Sequence, residues 1–126
     1  MLALAPVADL ARAHAEKLGG GAVRALFNGP PPDNAVPPND ADPAARLRTG
    51  ETPDGALVVV HGELDQEVPA AHSAALGADV AAVDVRLLPG VEHYGLIDPL
   101  SSAWPSVRAA LPDPRPPGSR RSTLGG

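Results

Sequence analysis

An α/β fold, with two to three parallel strands and flanking helices, is predicted by three features of this 126-residue sequence. "ALVVVH", residues 56–61, is a continuous apolar run that stops at His61-Gly62, the pattern of a strand covered on both faces by helices. A second strand pattern, "VDVRLLP" from residue 83, follows after a helix-length segment. A further helical segment closes the series, so strand, helix, strand and helix alternate, which is the signature of a parallel sheet.

From the N-terminus, "LALA" at residues 2–5 is a short apolar run, the possible end of a third strand, and the chain turns at Pro6. Asp9 is placed to cap a helix running through Leu18, because its carboxylate can accept the first free amides at the positive end of the helix dipole. Gly19 stops that helix, and one more short helix fits Ala22 to Phe27, closed by Asn28-Gly29. Residues 29–43, "GPPPDNAVPPNDADP", hold six prolines and are expected to form a surface loop, since proline lacks the amide that regular structure needs.

A brief helical turn is expected near "AARL", followed by the 56–61 strand. "PAAHSAALGADV" predicts a helix from Pro69 to about Leu76, with proline in its first turn. In the second strand Val83, Val85 and Leu87 alternate with Asp84 and Arg86, which predicts one more exposed face. A loop over residues 89–99 leads into "SSAWPSVRAAL", a helix with Ser102 or Ala103 at its cap and Pro105 tolerated in its first turn. The tail "PDPRPPGSRRSTLGG" has no apolar periodicity, and disorder is expected over residues 113–126.

Composition narrows the function classes. A hydrophobic content of 44% suffices for one core, but aromatics supply only 2%, namely Phe27, Tyr94 and Trp104. The core must therefore be Ala, Val and Leu, which bury less area per residue than rings. A net charge of -5 with no basic stripe and few rings for base stacking argues against nucleic-acid binding. The lack of cysteine excludes disulfides and thiolate metal sites. "MLALAPVADL" has no basic start for a signal peptide, and no apolar run approaches the roughly 20 residues of a membrane span. A cytoplasmic chain with no cofactor, no metal and no membrane partner is the expectation.

Two residues stand out for chemistry. In open α/β sheets ligands gather beyond the carboxyl ends of the strands. Asp65 lies just past the end of the 56–61 strand and His93 just past the end of the 83–88 strand. If the strands are parallel neighbours joined by a right-handed crossover, both side chains emerge at one edge of the sheet. A carboxylate bonded to one imidazole nitrogen fixes the tautomer and stabilises the imidazolium, leaving the other nitrogen to take a proton from a nucleophile.

"VVVHGELDQEVPAAHS" followed by "VRLLPGVEHYGLIDP" resembles the C-terminal part of the α/β-hydrolases, in particular the esterase, lipase, arylformamidase and prolyl-oligopeptidase-like branches. The resemblance covers residues 56–111 well and residues 1–50 less closely. It implies that the strand ending "HG-x-x-D-x-x-V-P" carries the triad acid at Asp65, and that the "PG-x-x-H" loop carries the triad histidine at His93. Residues 51–112 are then a C-terminal α/β-hydrolase segment, and residues 1–50 a partial strand, cap-like helices and a proline-rich loop. The implied activity is serine hydrolysis of a small ester or amide.

The sequence departs from that family at the nucleophile. No G-x-S-x-G elbow occurs: Ser73 has no flanking glycines, and Ser101, Ser102 and Ser106 follow the histidine rather than precede it. An "HGGG" oxyanion loop is missing as well, since "GGG" at residues 19–21 has no preceding histidine. The expectation is a C-terminal portion of the fold, inactive alone and open to self-association through an exposed sheet edge. The alternatives are a non-catalytic remnant and a small acidic protein-binding module that uses the proline-rich loop.

The remaining polar residues have plainer readings. His61 is expected to pack or hydrogen bond beneath the loop, and a metal site on the "H-x-E-x-D" spacing of His61, Glu63 and Asp65 is disfavoured because Gly62 begins the turn. Glu63 and Glu67 are expected as solvated loop charges, His14 and His72 as partly exposed helix residues, and Trp104 as an anchor of the last helix on the sheet.

Overall fold

The computed structural model describes residues 1–27, 39–53 and 55–112. Three parallel strands, β1 (Leu2–Leu4), β2 (Leu57–Gly62) and β3 (Val83–Leu88), form a sheet in the order β1-β2-β3. Leu2, Ala3 and Leu4 pair with Val58, Val59 and Val60, and Leu57 to Gly62 pair in step with Val83 to Leu88. All three strands run the same way, so the carboxyl ends of β2 and β3 share one edge. The predicted α/β class holds, and "LALA" does supply the third strand.

The unbroken apolar run of β2 follows from its central place. Leu57 and Val59 join Leu76 of α4 (Ala70–Asp79), its C-cap Val80, Val83 of β3 and Ala44 of α3 (Pro43–Arg48) on one face of the sheet. Val60 joins Ala5, Leu96, and Val107 and Ala110 of α5 (Trp104–Ala110) on the other, with Trp104 packed against that cluster as its anchoring role requires. In β3, Val83 is buried while Asp84 and Arg86 are exposed and paired to each other at 3.0 Å, matching the alternation. None of Phe27, Tyr94 and Trp104 is among the buried core residues.

Several boundaries differ from the sequence reading. The first helix, α1 (Leu10–Ala15), has Asp9 as its cap but ends before Leu18, because Lys17 takes a left-handed conformation (φ 54°). In α2 (Leu18–Leu26) the three glycines have φ of 61°, 67° and 90°, a left-handed conformation that costs glycine little, and right-handed helix resumes only after them. Helix α4 starts at Ala70, with Pro69 as its extended cap, and continues past Leu76 to Asp79. At its Gly77 a Cβ would lie 2.7 Å from Val85 Cγ2, so glycine lets the helix lie close on β3.

The 89–99 loop is also partly ordered, since residues His93–Ile97 form a 3-10 turn. The end of the proline-rich stretch is not loop: Asn39–Ala41 is a 3-10 turn, and Pro43 opens α3 behind its cap Asp42. The rest of that stretch and the expected tail disorder over 113–126 lie outside the described residues. Among the described residues no helix is long and apolar enough to cross a membrane.

Candidate active site

Two loops at the carboxyl edge are laced together by their backbones. As β2 ends, the Glu63 amide donates to Leu88 O and the Leu64 amide to Val91 O, both at 2.9 Å. Gly62 makes this possible, because a Cβ there would lie 2.2 Å from Val91 O. The glycine of "HG" is therefore a packing requirement: the chain that carries the acid runs directly against the chain that leads to the histidine.

Asp65 then closes its own loop. Its Oδ1 accepts from the Glu67 and Val68 amides, each at 2.8 Å, a local turn that short acidic side chains form readily. Its Oδ2 accepts from His93 Nδ1 at 2.6 Å. The carboxylate is fully buried and the His93 side chain is 29% exposed. Burial alone would raise the Asp65 carboxyl, but the Val68 amide, the His93 ring and the Glu67 amide together outweigh it and hold the group below its ordinary value. An ionised carboxylate offers only acceptors, so the neutral His93 ring carries its proton on Nδ1, and in that tautomer the Nε2 lone pair faces away from Asp65.

His93 opens the 3-10 turn and lines an open cleft of about 310 Å³ with Leu64, Gln66, Glu67, Glu92 and Tyr94. The Tyr94 ring meets it edge to face, with centroids 5.1 Å apart at 89°. Among the described residues His93 Nε2 has no hydrogen-bond partner. Asp65 and His93, singled out in sequence order, are thus brought into direct contact.

Of the other candidate side chains only that of His61 touches this pair, its Nε2 lying 3.2 Å from Asp65 Oδ2. Ser73 lies behind the site, buried and 2.7 Å from His61 Nδ1, while Ser101 Oγ donates to Gly95 O at 2.5 Å. Ser102 and Ser106 are exposed where α5 begins. His61 is fully buried beneath the loop, with Nε2 2.8 Å from Val68 O. Glu63 and Glu67 are exposed. No cluster of three or more metal-ligating side chains occurs among the described residues. His72 corrects the reading of a partly exposed helix residue: it is buried, and its Nε2 lies 2.6 Å from Oε2 of Glu16, the C-cap of α1. The phase of α4 turns it inward, and no local pattern in "PAAHSAAL" fixes that phase.

Sequence reasoning missed Ser73 as the partner of His61, and it missed the Oδ1 turn that fastens Asp65. The second had a usable signal, an aspartate directly after a strand with two free amides following it; the first had none. No protein-family profile and no curated protein matches the chain.

Proposed function

We propose that Asp65 and His93 are the acid and the base of a serine-hydrolase triad on an α/β-hydrolase-type sheet, and that the reaction is hydrolysis of an ester or amide. The observation that carries this reading is the 2.6 Å bond from His93 Nδ1 to a buried, fully hydrogen-bonded carboxylate, with Nε2 left as a base beside a cleft. Two loops from neighbouring parallel strands supply the pair, in the order acid then histidine.

In this reading His93 Nε2 takes the proton of a serine hydroxyl as that oxygen attacks the carbonyl carbon. Asp65 stabilises the imidazolium, and the ring then hands the proton to the leaving alkoxide or amine. The serine comes from outside this chain, since the sequence has no G-x-S-x-G elbow and Ser73 is committed to His61. The carboxylates of Glu67 and Glu92 in the cleft lining favour substrates that are neutral or cationic at that end.

A chromogenic p-nitrophenyl ester tests the proposal. The 126-residue chain alone should turn it over no faster than its His93→Ala variant. A polypeptide extended by the reading frame upstream of Met1 should contain the elbow, be active, and lose about 10⁴–10⁶-fold in kcat on His93→Ala. His93-dependent turnover by the short chain, or an active extended protein indifferent to His93→Ala, would refute it.

A further inference from the structure

We infer that His61 is a positioning residue that acts through Asp65: its Nε2–H dipole, fixed in the required tautomer by Ser73, lies behind the carboxylate and tempers its pull on the His93 proton. The inference deepens the reading of that pair as catalytic and rests on it for its functional meaning.

The tautomer follows from the partners. His61 Nε2 lies 2.8 Å from Val68 O, and a backbone carbonyl only accepts, so Nε2 carries a proton. Nδ1 of the neutral ring is then an acceptor, and the Ser73 hydroxyl at 2.7 Å is its donor. The same Nε2 lies 3.2 Å from Asp65 Oδ2, with both side chains fully buried. Its proton is aimed at Val68 O, yet the positive end of that N–H dipole sits against the oxygen that receives the His93 proton.

Asp65 Oδ2 is therefore contacted by two rings, His93 Nδ1 in front at 2.6 Å and His61 Nε2 behind at 3.2 Å. Oδ1 is taken by the Glu67 and Val68 amides, so the carboxylate has no freedom to rotate away from His93. Ser73 on α4, His61 on β2, Asp65 and His93 form one continuous line from the helix to the cleft. In a buried setting each bond polarises the next: donation by Ser73 strengthens the Nε2–H dipole, which draws charge from Oδ2 and tempers its pull on the His93 proton.

A purely structural His61 and a positioning His61 predict opposite signs in one measurement, the proton NMR resonance of His93 Nδ1–H, assigned in the full chain by its loss in His93→Gln. If His61 tempers the carboxylate, His61→Leu leaves Oδ2 a stronger acceptor and the resonance moves downfield. Ser73→Ala moves it the same way by less, and His61→Gln, which restores an N–H donor, brings it back toward wild type. An upfield move or loss of the resonance in folded His61→Leu, or no movement in Ser73→Ala, overturns the inference. Should His61→Leu fail to fold, Ser73→Ala decides alone, since it removes a single hydroxyl from a helix. No substrate is involved, so this result stands apart from ester turnover, and either proposal can fail without the other.

Discussion

At Gly62 the acid-bearing chain passes so close to Val91 that there is no room for a methyl group, and the whole site depends on that approach. Gly62→Ala must push Val91 O, 2.2 Å from the new Cβ, out of its bond with the Leu64 amide. The expected cost is about 1–3 kcal/mol, read from the urea midpoint, with a weakened His93–Asp65 bond. Asp65 itself makes stability depend on pH. Its carboxyl is held low in the folded chain, so its contribution is complete above the ordinary value of an unfolded aspartate, about pH 4, and is lost as pH falls through the lower folded value. Melting curves at pH 7 and pH 3 should therefore converge in Asp65→Asn relative to wild type; an unchanged acid sensitivity would show that other carboxylates dominate. The sequence displayed Asp65 and His93 because each follows a strand directly, where side-chain direction is dictated by the turn. It hid the Ser73–His61 contact, which depends on how α4 is rotated over β2.

Among the elements, α1 is held less by its own six residues than by a second helix. Asp9 caps it by accepting from the Arg12 amide at 3.1 Å, as the sequence indicates. Asp42, 32 residues from Leu10, accepts from the Leu10 amide with Oδ1 and from the Ala11 amide with Oδ2, and also caps its own helix at Ala44. One buried carboxylate thus serves two helix starts, each of which would otherwise leave amides unsatisfied. Arg48 bonds Asp9 at 2.8 Å and Asp79 at 2.9 Å, adding a tie from α3 to α1 and α4. Asp42→Ala removes the acceptor for three amides at once and should cost about 2–3 kcal/mol, above the typical ~1 for a single cap. Asp9→Ala is the control, and equal losses in denaturant melts for the two variants would contradict the shared-cap account. Helix existence was legible here from proline, aspartate and glycine positions, while helix ends were not: Lys17 takes a conformation that no propensity assigns to lysine, and α4 runs on through Gly77 to Asp79 because that glycine packs against Val85.

Over the whole molecule, a nearly ring-free core is divided into two layers by the sheet. Helices α3 and α4, with the α4 C-cap, cover one face through Ala44, Leu76 and Val80; α5 and the His93–Ile97 turn cover the other through Val107, Ala110 and Leu96. The class of fold was legible because β2 lacks alternation, which only coverage on both faces explains; which segment covers which face depends on long-range packing that local pattern does not encode. Residues of the two layers should then contribute independently. Val83 on β3 and Val107 on α5 are 5% and 3% exposed and belong to different layers, so replacing either by alanine removes two buried methyl groups and should cost about 2 kcal/mol. With the sheet between them and no shared neighbours in either cluster, the double variant should lose about 4 kcal/mol, within ~0.5 of the sum. Guanidinium melts of the two single variants and the double variant measure this directly. A coupling of 1 kcal/mol or more would mean that β2 transmits strain from one layer to the other, and the site at its carboxyl end would then respond to substitutions on both faces.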